Sequence, residues 1–135
     1  MKAKVDLLQA VLLVNGVVDL GCAVVLVVLP ELGRDLMGYH VFDGQGALMA
    51  GGWGMTTLAL GLARIWTSGQ TKYHMPMLFL GELEGCLLGL FCILFVAVGK
   101  ATLAQAALPM AVGVIFGTLY VVSAIRTRSL ANGRT

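Results

Sequence analysis

Along the chain the apolar residues neither alternate with polar ones nor recur on one helical stripe; they run on. Four such runs occupy residues 7–29, 46–66, 76–98 and 103–125. Each is close to the roughly 20 residues that a helix rising about 1.5 Å per residue needs to cross about 30 Å of hydrocarbon. Membrane strands would show an alternation of faces that these runs lack, and backbone groups in lipid must find partners within their own segment. The pattern predicts an all-α membrane protein. It is a four-transmembrane-helix antiparallel bundle, one domain spanning residues 1–135.

The polar residues between the runs punctuate them. Pro30 is expected to stop the first helix, Asp43-Gly44-Gln45-Gly46 closes the loop 31–45, and Thr67-Ser68-Gly69-Gln70 turns the chain between the second and third runs. Within the longer loop, residues 32–37 are expected to form a short helix lying on the membrane. The loop's acids, Glu31, Asp35 and Asp43, are expected to be solvated rather than to collect a cation. A cleaved signal is the alternative for the first run, and Leu20-Gly21-Cys22-Ala23 has some likeness to a lipoprotein cleavage site. Asp19 interrupts the apolar core just before it, which favours a retained span.

Composition and charge agree with this reading and orient it. Hydrophobic residues make up 59% of the chain and charged residues 12%, against about 25% charged in globular proteins; mean hydropathy is +0.91. Lys2, Lys4, Arg64, Lys72, Arg126, Arg128 and Arg134 fall on one side of the predicted topology and only Arg34 and Lys100 on the other. The positive-inside rule therefore places both termini and the middle loop in the cytoplasm, or in an organelle's matrix or stroma. Trp66 and Tyr73 then belong at the inner interface, Tyr39 and Trp53 toward the outer one. A start at Met1 without a transit peptide favours a bacterial inner membrane or an organelle membrane. The net charge of +2 is accounted for by this bias, so a nucleic-acid partner has no place in the reading.

Small residues predict how the helices pack. Lipid tails are as apolar as Leu, so helices associate in membranes through close approach and a few polar contacts. Ala47, Ala50, Gly51, Gly54 and Gly61 form one stripe on the second span, Gly81, Gly85 and Gly89 another on the third, and Ala106, Gly113, Gly117 and Ala124 a further one on the fourth. Pro109 is expected to kink the last helix.

Five polar residues stand out against this background. Asp19 lies near the middle of the first span with Asn15 and Cys22 on its face, Glu82 and Glu84 flank the Gly81/Gly85/Gly89 stripe, and Arg64 lies within about one turn of the inner boundary. Acidic groups at a helix centre cost about 2.5 to 3.5 kcal/mol on insertion scales, so each asks for compensation. The structural reading pairs Arg64 with Glu82 or Glu84, since Arg64 and Glu82 differ in depth by only about 6 Å, and hydrogen-bonds Asn15 to Asp19. The functional reading makes Asp19 with Glu82 or Glu84 a ligand or proton site. An apolar setting disfavours a charged carboxyl, the condition for exchanging a proton against a cationic substrate.

Other chemistries lack their parts. His40 and His74 are predicted on opposite sides of the membrane, which excludes a bis-histidine haem, and each is expected to face solvent. Cys22, Cys86 and Cys92 form no CxxC pair and read as packing residues; no metal site, Walker loop, GxGxxG or HExxH is present. No cofactor is specified, and an enzyme is the least favoured class.

Pro30-x-Leu32 at the exit of the first span, with Glu82-x-Glu84-Gly85 and Leu88-Gly89 in the third, resembles the DoxX-like group of small four-helix membrane proteins. The resemblance implies a partner subunit or a handler of small molecules and transfers no catalytic residue. Two functions are therefore carried forward. The first is a non-catalytic accessory subunit, bathed in membrane lipids and packing through its glycines against a larger membrane complex or copies of itself. The second is a small proton-coupled transporter or lipophilic-ligand-binding bundle using Asp19, Glu82 and Glu84.

Overall fold

The structure, a computed structural model, describes residues 6–37 and 44–132. The described residues form five helices and one 3-10 turn: α1 (Leu7–Val27), α2 (Pro30–Met37), α3 (Gly44–Ser68), the turn Thr71–Tyr73, α4 (His74–Ala97) and α5 (Leu103–Asn132). Four segments, Leu7–Val27, Gly44–Ser68, Thr71–Ala97 and Leu103–Thr127, are long and apolar enough to cross a membrane. Pro30 does not merely end α1, which already stops at Val27. It opens α2, at a position where its missing N–H costs nothing and its fixed φ suits a helix. Helix α3 starts at Gly44, so the described residues of the loop expected over 31–45, namely 31–37 and 44–45, are helical; Tyr39, His40 and Asp43 lie outside the described residues.

The long helices associate as two pairs, α1 with α3 and α4 with α5. The expected neighbours α3 and α4 touch only sparingly. Glycine explains the pairing. A Cβ on Gly16 would come within 2.7 Å of Ile65 and 2.8 Å of the Gly61 carbonyl, and one on Gly61 would meet the Gly16 carbonyl at 2.9 Å. Gly54 is held as closely against Val27 and Leu26. In the other pair, a Cβ on Gly85 would lie 2.7 Å from Gly117 Cα, Gly113 faces Gly85 and Gly89, and Gly81 leaves room only for the ring of Tyr120. Such approach yields dispersion contacts and weak Cα–H···O bonds, which lipid cannot match.

Not every expected packing glycine is used in this way. Gly51 has nothing within 4 Å of where a Cβ would stand, and Ala47 on the same stripe is exposed. Gly89 likewise leaves space at its own Cβ position although it is buried. Gly16, which was not on any predicted stripe, is among the tightest.

The two pairs meet over a core made by Leu8, Val11 and Leu12 of α1, Leu78 of α4, and Tyr120 and Ala124 of α5. This end also satisfies its own polar groups. Thr67, Ser68 and Ser123 donate their hydroxyls to carbonyls one turn back, to Ala63, Ile65 and Leu119. His74, expected to face solvent, is buried, and its Nε2–H donates to the Ser68 carbonyl over 3.1 Å, a bond that closes the α3–α4 connection. Trp66 and Tyr73 stack with ring centroids 5.3 Å apart, with the Lys72 ammonium 4.6 Å from the Tyr73 centroid.

At the opposite end the connection from α4 to α5 is fixed from both sides. Gly99 sits at φ 71°, where Lys100 N–H can reach back to the Phe95 carbonyl at 2.8 Å. Thr102 and Gln105 then cap α5 reciprocally: Thr102 N–H donates to Gln105 Oε1 and Gln105 N–H to Thr102 Oγ1. Helix α5 continues unbroken through Pro109. Helix α2 packs on the same end, with Gly33 against Val25 and Leu26.

Candidate functional site

The close approach of α1 and α3 at Gly16 and Gly61 carries Arg64, one turn further along α3, into the interior beside Asp19. Arg64 is 1% exposed. Its Nη1–H donates to Asp19 Oδ2, and its Nη2–H reaches across to the second helix pair and donates to Glu84 Oε2. The guanidinium thus bridges two carboxylates on different helices, the geometry that its planar fork of donors favours. Arg64 Nε is buried and has no hydrogen-bond partner.

One polar contact beside the bridge also joins the pairs. Asn15 Nδ2–H donates over 3.0 Å to the hydroxyl of Tyr120, whose ring covers Gly81. Asn15 was expected to bond Asp19. Asp19 is engaged by the stronger, charged donor, which leaves the Asn15 amide to the hydroxyl across the interface. Glu82 takes no part in the cluster: its neighbour two positions on, which points to the other flank of α4, is the residue that reaches Arg64. Of the five sequence candidates, Asn15, Asp19, Arg64 and Glu84 are brought together, and Tyr120 is added. Tyr120 follows Gly113 and Gly117 at helical spacing and precedes Ala124, so the lone hydroxyl in that small-residue stripe was the signal for it.

Above this cluster, toward α2, the pairs part. A cavity of about 380 Å³ opens between α1, α3, α4 and α5, with Gly33 of α2 at its edge. Its walls are apolar, from Val25, Trp53, Leu60, Leu88, Leu108 and Val112 among others. Thr56 and Thr57 line it too, their hydroxyl protons donated to the Gly52 and Trp53 carbonyls. Among the described lining residues the charged side chains are Asp19 and Glu84. The two are not equivalent: the Asp19 side chain is 8% exposed and that of Glu84 38%. Glu84 is therefore the more open of the two carboxyls that line the cavity. A smaller space of about 20 Å³ lies beside them, bordered by Asn15, Asp19, Glu84 and Gly85; it has room for about one water.

Cys22 also lines the cavity, and Cys22, Cys86 and Cys92 are free thiols. Outside the spans, Arg34 Nε–H donates to Asp35 over 2.9 Å. That hydrogen bond, with the Asp35 charge behind it, holds the guanidinium pKa above its ordinary value. Comparison with protein-family models, with curated proteins and with solved structures returned no match.

Proposed function

We infer that the chain is an integral membrane protein whose antiparallel four-helix bundle, both termini on the cytoplasmic or equivalent side, binds a small lipophilic molecule between its two helix pairs. The observation that carries the reading is the cavity of about 380 Å³ with carboxylates at one end. It falls in the range of about 300 to 1,000 Å³ usual for ligand pockets, which combine apolar walls with few polar groups. The opposed order of the contacts, Gly16 with Gly61 and Val27 with Gly54, supports the antiparallel arrangement. The excess of Lys and Arg on one side supports the orientation. Ionisable groups placed inside a span at several kcal/mol of cost mark function more often than not. The DoxX-like resemblance, which implies a partner subunit or a handler of small molecules, is compatible with this reading and does not choose between the two.

The accessory-subunit reading drew on the glycine stripes. Gly54, Gly61, Gly81, Gly85, Gly113 and Gly117 are occupied by contacts within the chain, so they do not call for a second protein, whereas Gly51 and Gly89 keep open space at their Cβ positions. The test is to purify the protein in a gentle detergent and identify everything that accompanies it by native mass spectrometry. A small lipophile at one per chain, lost when the cavity is filled by Val112→Trp, is the expected result. A stoichiometric protein partner with no small molecule would return the lead to the subunit reading.

A further inference from the structure

We propose that the ligand of this cavity is a lipophilic monocation, its positive centre beside Glu84 and its apolar body along Trp53, Leu88 and Leu108. This rests on the cavity being a binding site, as inferred above, and adds the chemical class of the occupant. The argument is one of charge count. Arg64 supplies one positive charge, and its two terminal nitrogens are both engaged, one by Asp19 and one by Glu84. With both carboxyls ionised, two carboxylates against one guanidinium leave a surplus negative charge in surroundings that are otherwise apolar. The surplus is directional. Asp19 is enclosed between α1 and α3, whereas Glu84 keeps 38% of its side chain open. A cation lodged there makes the floor neutral, while its hydrocarbon portion covers apolar wall. A neutral lipophile would gain only the second of these, and an anion would oppose the first.

The charge count predicts how variants behave, and it distinguishes net charge from one favoured contact. Glu84→Gln and Asp19→Asn each leave one carboxylate for one guanidinium, so both should abolish the preference for a cation while leaving the apolar walls intact. The chain has two tryptophans; Trp66→Phe leaves Trp53, in the cavity wall, as the sole reporter. With this variant as parent in dodecyl maltoside micelles, Trp53 emission is titrated with decyltrimethylammonium, decanol and decylphosphocholine.

The expected result is saturable binding in which the cation is preferred over the alcohol by about tenfold and over the zwitterion, whose phosphate, between the ammonium and the chain, would bring a negative charge back into the apolar cavity. In Glu84→Gln and in Asp19→Asn the cation and the alcohol should bind alike. Two variants keep the test open should one fail to fold, as circular dichroism and gel filtration would reveal. Saturable binding of cation and alcohol with equal affinity in the parent overturns the monocation and leaves the cavity reading standing. So does a preference that survives both variants. Equal binding of the zwitterion overturns it in favour of a lipid head group. No saturable binding by any probe overturns both readings.

Discussion

The two ends of the helix assembly solve the same packing problem in opposite ways. At the Leu12 end, large side chains from α1, α4 and α5 fill the space between the helix pairs, and Tyr120 lies flat over Gly81. At the α2 end each pair stays closed within itself, with Gly54 on α1 and Gly113 on α4, yet the pairs stand apart around the cavity. The charged cluster sits where one regime gives way to the other. Glycine therefore sets the spacing within a pair, and side-chain volume sets the spacing between pairs. An open space at one end alone is what distinguishes a receptacle from a merely loose bundle.

Removing the guanidinium should blur this distinction most. Arg64→Leu leaves Asp19 enclosed without its partner, and breaking a buried pair from one side costs about 3 to 5 kcal/mol. The variant should lose most of its monodisperse fraction in gel filtration after gentle heating. Next comes close approach within a pair. Gly85→Leu has to force α4 off Gly117, a change of about 3 kcal/mol at the upper range of overpacking, whereas Gly51→Leu, which meets open space, should leave SDS-induced unfolding where it was.

The third contrast compares the ends directly. Leu12→Ala opens a void in a filled region and should cost about 2 kcal/mol, the void contribution remaining even though lipid replaces water as the reference. Leu108→Ala only enlarges a space that already exists, and its thermal midpoint should move far less. The smallest effect is expected from Tyr120→Phe, which deletes the hydrogen bond to Asn15 and keeps the ring over Gly81. A loss of about 1 kcal/mol is expected, visible as faster amide exchange in the middle of α1 and α5. Should Leu108→Ala prove as damaging as Leu12→Ala, the two ends would be alike and the cavity would have no special standing.

The positions of the long helices were legible because a bilayer imposes a similar length on every span, and α1, α3 and α4 end within two residues of the apolar runs; α5 was not legible to its end, since it continues to Asn132, seven residues past the last run. The short helix after Pro30 was legible too, since its polar residues fall on one side. Which helix pairs with which was not. Every long helix carries small residues, and the choice of α1 for α3 is made by Gly16 meeting Gly61, a fit between two surfaces that no single span displays. The acids show the same limit. Arg64 had several carboxylates within reach by depth, and depth does not reveal rotation about a helix axis. Asp19 and Glu84 face the guanidinium while Glu82 does not. His74 was misplaced because residues at a span boundary look exposed in one dimension, whereas here the α3–α4 turn folds the imidazole back under the Ser68 carbonyl.

The bridge from Arg64 to acids on two different helix pairs has a consequence for biogenesis. Chains are made from the N-terminus, so α1 and α3 reach the bilayer first, and their opposite charges can neutralise one another during insertion. Helix α4 arrives later with an acid whose only arginine is already half engaged. The last docking event then has a chemical address: the α4–α5 pair meets, through Glu84, the second terminal nitrogen of a guanidinium whose first is held by Asp19.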